Sequence, residues 1–494
     1  MTTTSPLIVW FRDDLRLSDN PALTHAITSG APVLCVYVLD DNASGTRPLG
    51  GAARWWLAGS LRALDVSLRA IGGQLHVFKG NQSQIILDLS QQLQASEVVW
   101  NRRYGSAETA ADSTVKSSLR QAGVSATSFN GHLLHEPWTV TSKVGGPMKV
   151  FTPYWRAVLA KGTPAMPVPA PTSINAAALP ADLAVKPQDI ASLTLEPTSP
   201  DWAGGMGAEW TRGEQGARSR LESFVAQGIK GYAEGRNRPD LPSTSKLSPH
   251  LRFGEISVRQ CWHAATHTHA SGRSAAGTDD VDTFLKELGW REFSYHLLHH
   301  NPSLSSTNYT PRFDAFPWRD DAVSLRAWQR GMTGYPIVDA GMRQLYATGW
   351  MHNRVRMIVG SFLVKHLLTD WRAGEAWFWD TLVDADPASN SASWQWVAGT
   401  GADAAPYFRI FNPIIQGEKF DPDGAYVRAW VPEIGRLPNS LIHKPWTAPP
   451  MILKAAGVSL GHTYPRPVVQ HEMARDRALG AFKSLKLVSS QEPA

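Results

Sequence analysis

Residues 384–413 read DADPASNSASWQWVAGTGADAAPYFRIFNP, and these thirty positions decide how the rest of the chain is understood. They place two carboxylates (Asp384, Asp386), an amide (Asn390) and a Trp-Gln-Trp triplet (Trp394, Trp396) ahead of an Ala/Gly turn. Asp384 and Asp386 can anchor sugar hydroxyls or a guanidinium. Two large π systems two residues apart suit flat rings. No hydrolase or metal site needs that combination.

Working back from this stretch, WMHNRVRM (350–357) sets Asn353 and Met357 one turn apart, with Arg354 and Arg356 alongside. Its plain reading is the start of a basic amphipathic helix. In KELGWREF (286–293), Glu287, Trp290 and Arg291 fall at i, i+3 and i+4 on one helical face, most simply a salt bridge over a packed ring. The run Thr244-Ser245-Lys246-Leu247-Ser248 supplies hydroxyls, backbone donors and a cation before a helix. That suits a diphosphate, and equally an N-capping loop. Trp318, Trp371 and Trp394 stand in the contexts FPW, TDW and SASW, and core packing is the default for any tryptophan.

The first 133 residues have a different texture. Short β-branched runs at 7–11, 32–39, 74–78, 97–100 and 126–129 alternate with helical patterns at 52–71, 82–93 and 107–121. This predicts a parallel, doubly wound α/β domain over 1–133. The dinucleotide fingerprint G-x-G-x-x-G is absent after the first strand, where FRDDLRLSDN stands instead. Residues 134–205 read as an interdomain linker, with eight prolines between 162 and 200. From 206 to 494 strand signals nearly vanish. Helices are expected at 214–227, 257–267, 281–299, 337–348, 352–369 and 375–382.

Composition is that of a globular chain, 43% hydrophobic and 18% charged. A net charge of +5 favours an acidic partner such as nucleic acid, although the excess is spread along the chain. Cys35 and Cys261 offer neither a disulfide framework nor a metal site. With no apolar run of membrane-span length and no signal-peptide pattern, a cytoplasmic protein is expected, acting as a monomer and without metal.

Taken together, FRDDLRLSDNPAL, TSKLS, KELGWREF, WMHNRVRM and the 384–413 stretch resemble the photolyase/cryptochrome family, most closely a class I-type cyclobutane pyrimidine dimer (CPD) photolyase. The resemblance implies a helical FAD-binding domain and a light-driven repair lyase acting on UV-damaged DNA. Reduced, anionic FAD would pass an electron to the dimer on excitation and recover it after the ring opens. To FAD it assigns Tyr232, Arg236, Thr244, Ser245, Lys246, Leu247, Ser248, Arg291, Asn353, Arg356, Asp384, Asp386 and Asn390, with Arg356 salt-bridged to Asp384. To the dimer and DNA it assigns Glu287, Trp290, Asn353, Arg354, Met357 and Trp396. Trp318, Trp371 and Trp394 match the family's electron relay, and with Glu287 and Asn390 complete the catalytic set. (6-4) photolyases carry histidines where Asn353 and Met357 stand here. An antenna pigment in the α/β domain is expected to be 5,10-methenyltetrahydrofolate, or else 8-hydroxy-5-deazaflavin or none. NRRYGSAE (101–108) departs from the folate-binding pattern N-Y-x-Y-E, and Asp386-Pro387-Ala388-Ser389 from the usual D-L-A-N. The rival is a blue-light-sensing cryptochrome that holds FAD without repairing DNA.

Overall fold

Every residue of β1 (Leu7–Phe11) and β2 (Val33–Leu39) is buried, which a strand reaches only when both faces of its sheet are covered. They pair in parallel with β3 (Leu75–Lys79), β4 (Glu97–Asn101) and β5 (Ser125–Phe129), in the order β3-β2-β1-β4-β5. Helices α1 (Pro21–Thr28), α2 (Gly51–Ala70), α3 (Gln82–Gln92) and α4 (Ser106–Gln121) make the crossovers that parallel strands require. The computed structural model describes residues 5–179, 181–270, 276–403 and 408–489. Residues 404–407 of the decisive stretch and the polar end beyond 489 lie outside the described residues.

Two compact units emerge from the Cα packing, and they do not follow the boundaries at 133 and 205. One comprises Met1–Lys230, Ser245–Pro302 and Val383–Ala385; the other comprises Gly231–Thr244, Ser303–Leu382 and Asp386–Ala494.

In the first unit, FRDDLRLSDN is a clamp. Asn20 caps α1 by accepting from the Leu23 amide (3.1 Å), with Pro21 at the first helical position. The Arg16 guanidinium donates to the carbonyls of Ser18, Asp19, Gly131 and Gly254. Asp13 pairs with Arg252 at 2.9 Å, and Asp19 with Arg259 at 2.7 Å. The charged loop thus ties the sheet to the 245–302 segment. The expected linker is likewise built into this unit. Helix α5 (Phe151–Leu159) forms within it. Farther on, Val33 donates to Asn175 O (2.7 Å) and Ala177 to Val33 O (3.0 Å), while Leu183 and Leu193 are buried. Its prolines exclude regular structure, but its free amides still find partners on the sheet.

The second unit is helical, with no strand among the described residues. Its expected helix at 352–369 is α-helical only over Asn353–Ser361, then widens into a π turn at Phe362–His366. The expected helix at 375–382 starts earlier, at Trp371, because Asp370 accepts from the Arg372 amide (2.8 Å). Within the decisive stretch Pro387–Ala398 is a helix, opened by Asp386 and closed by Gly399 at φ 89°.

Candidate functional site

The first unit brings the hydroxyl run and one of the two acidic residues together. Ser248 Oγ donates to Asp384 Oδ2 at 2.6 Å, and Arg252 Nε donates to the neighbouring Ala385 carbonyl at 2.8 Å. The Leu247 amide donates to Ser245 Oγ at 3.4 Å, and Leu247 itself is buried. Lys246 differs from expectation. It adopts a left-handed backbone (φ 50°), costly for a side chain, and its ammonium donates to Glu209 Oε1 at 2.6 Å. The cation expected in an anion cradle is therefore committed to a carboxylate, as is the Ser248 hydroxyl, and the Thr244 and Ser245 hydroxyls are what the run offers a ligand.

On the Thr278–His300 helix, Glu287 is half-buried and Trp290 is 36% exposed. The Trp290 indole lies flat on Phe151, with centroids 3.8 Å apart and planes 8° from parallel. Gly289 has a clear reason to be glycine, since a Cβ there would come within 3.0 Å of the Trp155 ring. Arg291 donates to His132 O (2.9 Å) and approaches His132 Nε2 (2.6 Å), so its guanidinium is engaged within the protein. Glu292 is 1% exposed and accepts from the amides of Leu134 (2.8 Å) and His135 (3.2 Å). Burial nevertheless pushes its carboxyl up to about 7.

In the second unit, Tyr232 is buried in the short Tyr232–Gly235 helix, and Arg236 and Thr244 are half-buried after it. His352 caps the next functional helix, with Nδ1 accepting from the Arg354 amide at 3.2 Å. Burial, together with the charges of Arg354, Arg356 and Arg236, lowers this imidazole to about 3. Asn353 is exposed, and Arg354 binds Asn237 and Met357 while lying 4.5 Å from the Phe420 centroid. Arg356 donates to Met351 O at 2.7 Å.

Asp386 Oδ1 accepts from the amides of Ala388 (3.0 Å) and Ser389 (2.7 Å), so one carboxylate oxygen is spent as a helix cap. Asn390 Nδ2 donates to the carbonyl (3.1 Å) and Oε1 (2.8 Å) of Glu375. Both are acceptors, which fixes the amide's orientation and turns its carbonyl end the other way.

Trp394 is 3% exposed and meets Phe378 edge-on at 5.0 Å and Trp328 at 6.2 Å; its indole N–H is buried with no acceptor among the described residues. Trp371 is fully buried and donates to Asn308 Oδ1 at 2.8 Å. Trp318 is half-buried against Phe316 at 4.4 Å. No stacked pair joins the three among the described residues. Two short links do connect their surroundings. Trp394 overlies Gly374, one helical turn after Trp371, and the Arg319 amide donates to Leu368 O at 2.8 Å. Trp396 lines a pocket with Ser361, Lys365, Arg409 and Phe411. Lys365, 1% exposed, donates to Ala398 O (2.6 Å) at the end of the Trp-bearing helix, and burial holds its pKa well below the usual lysine value.

Glu375, His352, Lys365 and Phe151 are the functional candidates that motif reading passed over. None stands at a spacing that marks it; each is identified by what it touches. No cluster of His, Cys, Asp or Glu among the described residues is able to hold a metal.

Residues 7–172 match the family described as DNA photolyase, and residues 284–484 match the FAD binding domain of DNA photolyase. The chain is 54% identical to a deoxyribodipyrimidine photo-lyase of Agrobacterium fabrum over 98% of both chains. It is 39% identical to Cryptochrome-1 of Arabidopsis thaliana over 97% of this chain and 70% of that protein. A crystal structure titled a bacterial class III photolyase from Agrobacterium tumefaciens superposes with a TM-score of 0.94, at 53% identity and 98% coverage of each.

Proposed function

The chain belongs to the photolyase/cryptochrome family, and from that premise we infer that it is a light-driven DNA repair enzyme. It is a deoxyribodipyrimidine photo-lyase that splits cyclobutane pyrimidine dimers by electron transfer from excited, reduced FAD. The observation that carries this over the cryptochrome reading is the 54% identity to a photo-lyase along essentially the whole of both chains, against 39% to the plant cryptochrome. The same likeness moves our subtype from class I to class III, the class named for the 53% identical structure.

The residues fit FAD. The Thr244 and Ser245 hydroxyls are the donors for a diphosphate, Leu247 and Ser248 shape the turn through Ser245 and Asp384, and Tyr232, Arg236, Asn353 and Arg356 are further candidates. A carboxylate at Asp384 and an oriented amide at Asn390 serve the ring system. FAD when bound and reduced supplies the electron on absorbing light. The protein's work is placement. Asn390, with its N–H groups taken by Glu375, presents a carbonyl that accepts from an N–H; a reduced flavin carries one on its central ring and an oxidised flavin does not. Ser248 holds the Asp384 carboxylate in one orientation. Trp290 and Trp396 offer flat faces to a dimer that has left the base stack, and Glu287 hydrogen-bonds a pyrimidine carbonyl. Trp318, Trp371 and Trp394 pass an electron inward to restore the reduced cofactor.

Purified protein should show a flavin spectrum and, under blue light, remove dimers from irradiated oligothymidylate. Flavin without dimer loss would move the protein to the signalling branch. For the antenna, methenyltetrahydrofolate is the first pigment to test and 8-hydroxy-5-deazaflavin the second. The spectrum of acid-released pigment separates them, and a colourless release removes both.

A further inference from the structure

We propose that Phe151 is a positioning residue for dimer recognition, holding the Trp290 indole in the plane on which a flipped pyrimidine stacks. The proposal rests on the reading of Trp290 as a dimer-binding ring. Three rings of the first unit form a parallel ladder: Trp290 on Phe151 (3.8 Å, 8°) and Phe151 beside Trp155 (6.2 Å, 10°). Aromatic pairs meet offset-stacked or edge-on, and Trp290 does both, parallel to Phe151 and at 73° to Phe293. What sets this plate apart is that it ends in a ring that is 36% exposed. Phe151 covers one face of Trp290, so the exposure belongs to the other face and the edges.

The ladder has its own supports. Phe151 is the first residue of α5 and Trp155 lies four residues on, so both project from one face of that helix. Both are buried, at 7% and 6% exposure. The close approach of α5 to the Thr278–His300 helix depends on Gly289. Rotating Trp290 away would expose Phe151 to water and leave the plate one ring short. The indole is therefore fixed before any base arrives, and a ring already ordered loses less freedom on binding. Substituting Phe151 should weaken capture of the dimer without altering the chemistry of a dimer already captured.

The test uses reduced holoenzyme and a dimer-containing oligothymidylate, binding being measured in the dark and repair per absorbed photon at saturating DNA. Phe151→Leu should bind the dimer about three- to tenfold more weakly. Repair yield at saturation, FAD content and affinity for undamaged DNA should be retained. Phe151→Tyr, which keeps the ring, should restore binding to within about twofold of the parent. In a Trp290→Ala background Phe151→Leu should add nothing, because its effect passes through the indole. If Phe151→Leu does not accumulate as folded, flavin-loaded protein, Phe151→Met carries the same comparison. Unchanged dimer affinity in Phe151→Leu, a Tyr variant as weak as the Leu, or an undiminished effect without Trp290 would each reduce Phe151 to packing. Trp290→Ala with unchanged dimer affinity would instead remove the reading of Trp290 on which the proposal stands.

Discussion

Two acceptors on Glu375, its backbone carbonyl and its carboxylate, decide which end of the Asn390 amide points where. Glu375→Gln keeps the first and makes the second ambiguous, since a glutamine supplies either partner, and so loosens the amide's orientation. The expected result is faster loss of the reduced cofactor in air, read from the return of oxidised-flavin absorbance after chemical reduction. An unchanged rate would leave Asn390 without influence on the reduced state. His352 gives a prediction of the opposite kind, in stability. Its folded pKa of about 3 lies below the ordinary 6.5, so the stability it contributes is complete above pH 6.5 and is lost as pH falls towards 3. His366, lowered to about 3, and His296, lowered to about 4, act in the same direction. Glu292 acts oppositely, losing stability as pH rises from its ordinary 4.5 to about 7. His352→Asn keeps a capping side chain and should remove roughly 2–4 kcal/mol of the acid destabilisation between pH 6.5 and 3. Urea midpoints across that window check it; parallel curves for parent and variant would refute it. Asp384 and Asn390 were singled out through the family's motif, whereas Glu375 and His352 carry no motif, because their proposed importance lies in which atom they face.

At the scale of elements, β1 and β2 were readable because a strand buried on both faces reads as an unbroken apolar run, LIVWF and VLCVYVL. The Pro387–Ala398 helix was not, although it lies inside the stretch that revealed the family. Its buried face includes the polar Asn390, Ser391 and Gln395, while Trp396 and Val397 lie on the less buried side, so it carries no amphipathic period in sequence. Gln395 is fully buried and bonds Leu304 O (2.7 Å), Thr307 O (2.9 Å) and the Tyr309 amide (2.7 Å), a polar core position that a hydrophobicity pattern counts as surface. Helix α5, by contrast, carries a clear amphipathic period, with Phe151, Tyr154, Trp155 and Val158 buried, and was passed over because it lies inside the expected linker. Where the Trp371–Thr381 and Pro387–Ala398 helices cross, Gly374 makes the room: a Cβ would come within 3.0 Å of both the Trp394 ring and Leu363. Gly374→Ala should cost about 1–3 kcal/mol through overpacking and push Trp394 from its place. Light-driven reduction of oxidised enzyme should slow in step with the fall in melting temperature. Gly360→Ala, whose nearest neighbour would be Val397 at 3.3 Å, should be much milder. Equal effects would mean that Trp394 has slack to move.

Across the whole molecule, the chain passes between its two compact units after residues 230, 244, 302, 382 and 385. A boundary drawn in chain order cannot reproduce that, and the division expected near 205 reflected where strand patterns stop, not where packing changes. Contacts set the tryptophans of the proposed relay apart from Trp396. Trp318, Trp371 and Trp394 are tied to the helical interior, through Phe316, Asn308 and Phe378. Trp396 faces a pocket beside Lys365 and Arg409. On the proposed roles the first set restores the reduced cofactor and Trp396 holds the lesion, so substitutions should separate them. Trp318→Phe preserves most of the apolar volume and should keep the fold. Oxidised enzyme carrying it should be reduced poorly by light and an external donor, because one missing indole interrupts the path. Reduced chemically beforehand, the same variant should repair dimers normally, since the repair electron starts at the cofactor and returns there. Trp396→Phe should do the reverse, with normal photoreduction and dimer affinity weakened by the lost stacking area, worth about 1–3 kcal/mol for a whole ring and less for this exchange. Loss of photoreduction in Trp396→Phe, with Trp318→Phe unaffected, would exchange the two assignments.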